Sequence, residues 1–171
     1  MSEREGNPRT SVEERVAMSH RSAVVIVLAM SLSIVLYLVV GLVILGRGIY
    51  PGRGSDLRTP LYGAVAVLAL GALALRRVLL LKHRLESVAQ HGGVIGVVKY
   101  LLTVTVISAV LAEAAGIAGL MMIFFGGDRA DLIRVSIVAL VVSLYNYPRL
   151  GLWRQLVEYF AATRPAPLEP Q

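Results

Sequence analysis

Residues 100–127 read YLLTVTVISAVLAEAAGIAGLMMIFFGG, 28 residues in which Glu113 is the only charged side chain and stands at the midpoint. At about 1.5 Å rise per residue this run makes a helix of roughly 42 Å, longer than a hydrocarbon core of about 30 Å. Glu113 is then expected near the bilayer centre, where a charged group is costly and usually faces the protein interior. Insertion scales put that cost at roughly 2.5–3.5 kcal/mol, while each Leu, Ile, Val or Phe returns about 0.3–0.6 kcal/mol, so the apolar neighbours carry the glutamate in. Apolar surroundings favour the neutral form of a carboxyl, and the run holds no basic residue to oppose this. Glu113 is expected to be protonated much of the time and is the proton-binding candidate.

The rest of the chain repeats the pattern. Of its 171 residues 56% are hydrophobic, and they gather in long runs rather than at amphipathic spacing. Residues 22–45 hold 24 residues without a charge, about 36 Å of helix, which is too long for the core of a signal peptide. Residues 59–75 are uncharged too, and Arg76 and Arg77 can snorkel to let the span run to residue 81. Thr59 and Pro60 read as its cap and first turn. The third span is expected over 94–125. The fourth, over 132–148, is short, with only 14 uncharged residues between Arg134 and Arg149.

The stretches between the runs read as connectors. Residues 1–21 suggest a polar cytoplasmic tail, with Ser11 and Glu14 spaced as a capping box. The loop from Gly46 to Gly54 is rich in glycine but lacks the Gly-Lys-Ser/Thr ending and preceding strand of a nucleotide loop. A helical stub over 82–90 ends at Gly92-Gly93. Asp128 and Asp131 stand beside Arg129 and Arg134 and read as loop salt bridges. Trp153, Leu156, Val157 and Phe160 recur at helical spacing over 149–162, as in an interfacial amphipathic helix. Tyr145, Tyr147 and Trp153 are expected as aromatic anchors at the headgroups. Residues 163–171 hold three prolines and read as a disordered tail. The fold class is therefore an all-α integral membrane protein of four transmembrane helices, 22–148, with a C-terminal interfacial helix.

Charge supports one orientation. The net charge is +6, but the basic residues punctuate the apolar runs, which marks topology rather than nucleic-acid binding. With four spans, the two tails and the middle loop carry twelve Lys/Arg against five in the other two loops. Both termini are thus expected in the cytoplasm, with a bacterial inner membrane as the location. There is no cysteine, so no disulfide or thiolate site exists. His83 and His91 lie on a basic solvated stretch without metal spacing, so no metal and no cofactor are expected.

Small residues mark packing faces. Seven of the residues in 59–75 are Gly or Ala, and the third run has its own stripe in Ser108, Ala112, Ala115, Gly116 and Gly119. In lipid such faces let helices approach closely. Ala109, Ala112, Gly116 and Gly119 are the expected packing residues around Glu113. The partners expected are the bilayer and either a second copy or another membrane protein.

The run Ala112-Glu113-Ala114-Ala115-Gly116-Ile117-Ala118-Gly119-Leu120 resembles the Glu-Ala-x-x-Ile-Tyr-Gly-Leu run of the c subunit, or proteolipid, of rotary ATP synthases. Glu113, Ala114, Ile117, Gly119 and Leu120 match, while Ala118 stands in place of the tyrosine and the middle loop has no Arg-Gln-Pro. The resemblance covers helices two and three only. It implies a hairpin with a cytoplasmic loop, in which Glu113 binds the translocated proton. No membrane enzyme is expected, because the runs hold no second carboxylate, no histidine and no Ser/His/Asp set.

Overall fold

The computed structural model describes residues 8–48 and 57–163, and among them every regular element is a helix. They are α1 (Pro8–Gly46), α2 (Arg58–Leu79), α3 (Lys82–Phe124), α4 (Arg129–Tyr145) and α5 (Leu150–Thr163). Four stretches are long and apolar enough to cross a membrane: 13–46, 58–79, 82–124 and 129–162, the last interrupted at Asn146. The connector over 49–56, most of the glycine-rich loop, lies outside the described residues, as do 1–7 and 164–171.

The helices run up, down, up and down, and α3 is the central one, packed against α1, α2, α4 and α5. Its length lets it serve both ends of the bundle. Its small residues decide how closely the others approach. A Cβ on Gly116 would stand 3.0 Å from Ile34 of α1, and one on Gly119 would stand 2.8 Å from Val135 of α4. Ala112 meets Ala69 and Ala72 of α2 together with Val142 of α4. Ile34, Val65, Ala115, Met122, Val135 and Ala139 fill the middle.

Several boundaries differ from the sequence reading. No breaker follows Pro8, so α1 runs unbroken through residues 8–21 of the expected tail, and Ser11 lies within the helix. Thr59 does not cap α2: Leu57 holds that place without a side-chain bond, and Arg58 opens the helix. The stub over 82–90 joins the third span across a kink at Gly93, whose φ of 60° and ψ of −160° belong to a region essentially reserved for glycine.

The C-terminal helix folds back onto the bundle. Trp153, Val157 and Phe160 are buried against Val16 and Ala23 of α1 and Leu85, Val97 and Leu101 of α3. Trp153 is only 3% exposed, with its ring edge-on to His20 at 5.6 Å. The extensions of α1 and α3 supply protein for the apolar face of α5 that was assigned to headgroups.

Candidate functional site

Glu113 lies where two faces of α3 meet. Ala109, Ala112 and Gly116 are buried, whereas Val110 and Ile117, one turn either side of the glutamate, are 46% and 39% exposed. The carboxyl therefore stands half-buried at the rim of the packed face. Its partner comes from α1: the Tyr37 hydroxyl donates to Glu113 Oε1 at 3.1 Å, just beyond the usual range for such bonds. No second hydrogen bond reaches Glu113 among the described residues. One phenol donor can bond either a carboxylate or the carbonyl oxygen of a neutral carboxylic acid, so both protonation states fit the contact.

Helix geometry explains why α1 supplies that partner. Gly116 has no side chain, so Ile34 can seat against α3, and Tyr37 follows Ile34 by three residues on the same side of α1. The small residues beside the carboxyl thus admit a helix of the same chain. Tyr37 was legible as a signal, since a phenol in the interior of an uncharged run stands apart from the interfacial belts where tyrosine collects.

A second polar cluster joins α2 to α4 at the bundle end where α1 finishes. Asp131 is 3% exposed; one oxygen accepts from the Tyr62 hydroxyl at 2.6 Å and the other from Arg58. Asp131 Oδ2 also accepts from the Asp128 backbone N–H at 3.0 Å, while Asp128 Oδ1 accepts from the Asp131 N–H at 2.9 Å. These two bonds form a capping box on α4. The two aspartates are therefore not loop salt bridges to Arg129 and Arg134. Their ion-pair partner is Arg58, with Asp128 at 3.6 Å, because the first turn of α2 lies against the start of α4.

At the other end, Arg76 ties α2 to the end of α4. Its guanidinium donates to the Tyr145 carbonyl at 2.7 Å and Asn146 Oδ1 at 3.3 Å, and lies 5.6 Å from the Tyr145 ring centre. A cation there suits the exposed carbonyls of a helix C-terminus. Of the expected anchors, Tyr145 is 54% exposed and Tyr147 half-buried, while Trp153 is inside. Between α1 and α4, the hydroxyls of Ser31 and Ser143 are 2.8 Å apart. Among the described residues no group of three His, Cys, Asp or Glu side chains could hold a metal ion.

Comparison with family models, with curated proteins and with solved structures finds no match for this chain.

Proposed function

We propose that this chain is a non-catalytic integral membrane protein of four spans, with both termini in the cytoplasm of a bacterial cell, in which Glu113 is a membrane-embedded proton-binding group. The protein associates with itself or with another membrane protein. The observation that carries the reading is the pairing of Glu113 with Tyr37 between helices that are apolar enough to span a bilayer. A polar pair in that setting holds two helices in register, because lipid offers neither group a partner. Association falls to α2: nothing lies within 4 Å of where a Cβ would stand on Gly63 or Gly71, and Val67 and Leu70 are 71% and 66% exposed.

The c-subunit-like reading is the alternative, and the rim position of Glu113 favours it. A carboxyl flanked by exposed Val110 and Ile117 can be reached from outside the bundle. Infrared difference titration of the chain in nanodiscs against Glu113→Gln, with labelling by a hydrophobic carbodiimide, separates the two. Selective labelling that rises as the pH falls, with a titrating band absent from Glu113→Gln, supports a proton-exchanging site. A protonated-carboxyl band that stays fixed from about pH 5 to 9, with no labelling, leaves Glu113 a permanently neutral structural group.

A further inference from the structure

A cleft of about 420 Å³ opens between α1 and α3 at the end where α1 begins, lined by Arg15, Met18, Ser19, Ser22, Val94, Ile95, Val98, Lys99 and Leu102. Two of these side chains are cations and two are hydroxyls, and none is acidic. Neither Arg15 nor Lys99 makes an ion pair among the described residues. Glu13, on the same turn as Arg15, opens instead onto a separate cleft beside Arg154 and Glu158. The walls remain apolar: Val98 is buried, while Met18 and Ile95 are 68% and 41% exposed.

Depth along the helices places this chemistry. Lys99 precedes Glu113 by 14 residues and Ser22 precedes Tyr37 by 15, about 21 and 22 Å of helix rise from the level of the Tyr37–Glu113 contact. With that contact at the midplane, the hydrocarbon boundary lies near 15 Å and the headgroups extend to about 20–22 Å. Lys99 and Ser22 then stand at headgroup level. Leu102 lies nearer the hydrocarbon, and Arg15 lies two turns further out.

We propose that this cleft binds an anionic phospholipid, its phosphate held by Lys99 and its glycerol and first acyl carbons laid against Leu102, with Arg15 adding positive potential from about 10 Å further out. The inference rests on the membrane reading above. Positive residues at this end would serve orientation wherever they stood. A cleft that gathers two unpaired cations, two hydroxyls and an exposed apolar wall fits an amphipathic anion, and basic recesses between helices take such lipids.

The test is native mass spectrometry of the full chain in detergent with equal phosphatidylglycerol and phosphatidylcholine. The wild type is expected to retain the anionic lipid preferentially. The Lys99→Gln variant should lose about fivefold and Arg15→Gln, further from the lipid, less than that, while Arg84→Gln/Arg154→Gln, with two cations outside the cleft removed, keeps the preference. Equal retention of the two lipids, an unchanged Lys99→Gln variant, or an equal loss in the control pair overturns the site, and so does displacement of the lipid by inorganic phosphate. Alkaline carbonate extraction of the expressed chain separates the two readings. A chain that stays in the membrane pellet but shows no lipid preference sinks the cleft alone, and a chain released to the supernatant sinks the membrane reading with it.

Discussion

The Tyr37 hydroxyl reaches across from α1 to Glu113 on α3, and this is the one side-chain hydrogen bond made by the glutamate among the described residues. Removing the donor isolates its contribution. Tyr37→Phe is expected to cost about 0.6–1.7 kcal/mol of unfolding free energy in detergent, the range measured for hydrogen bonds between membrane helices. It should also speed carbodiimide labelling of Glu113, since the carboxyl loses its tether. Unchanged stability and labelling would mean that the contact holds nothing in place.

The glycines of α3 and α2 should behave oppositely. Gly119→Ala puts a Cβ within 2.8 Å of Val135 Cγ1 and is expected to destabilise by about 1–3 kcal/mol, with Val135→Ala restoring part of the loss. Gly71→Ala meets nothing inside the chain and should leave the monomer as stable or slightly more so. If α2 is the association face, crosslinking yield in nanodiscs falls in Gly71→Leu while the monomer stays folded. A stable Gly119→Ala protein would contradict the close approach of α3 and α4.

Breaking the cluster of Arg58, Tyr62 and Asp131 should be more damaging from one side. Asp131→Ala removes the acceptor of the Asp128 N–H and of the Tyr62 hydroxyl as well as the ion pair, while Asp128 still caps α4, so it is expected to exceed Arg58→Ala by about 1 kcal/mol, the usual net worth of a hydrogen bond. Arg58 keeps 37% of its side chain exposed, so its loss is softened by solvent. The double alanine variant should cost less than the sum of the two, with a coupling of about 0.5–3 kcal/mol in denaturant unfolding. Strict additivity would mean that the pair does not interact.

Trp153 is the single tryptophan and reports directly on α5. Buried against α1 and α3, it should emit in the blue and resist both aqueous acrylamide and headgroup-level spin labels. His20→Ala, which removes its edge-on neighbour, should shift the emission to the red. Efficient quenching by lipid spin labels would return α5 to the headgroup surface.

Much of the architecture was legible from local signals. Uncharged runs gave four long apolar helices, and Gly92-Gly93 marked the kink that the structure places at Gly93. The spacing of Trp153, Val157 and Phe160 identified the apolar face of α5, though not the protein that covers it. The polar residues 8–21 look like a tail, yet they are helical and continue into the first long apolar run. The Asp128–Asp131 pair was visible, but Arg58 lies 73 residues from Asp131 and nothing nearby in sequence announces it.

The amino-acid sequence by itself determined the helical class, the long apolar helices and the place of the lone glutamate in the 100–127 run, because length and hydropathy are sums over neighbours along the chain. It could not say which face of α3 meets which helix. That helix is apolar on nearly every side, so periodicity carries no inward direction. Only the tertiary structure decided it, through the fit of Ile34 at Gly116 and Val135 at Gly119, and the same fit brought Tyr37 to Glu113. Steric complementarity between distant segments is not written in either segment alone.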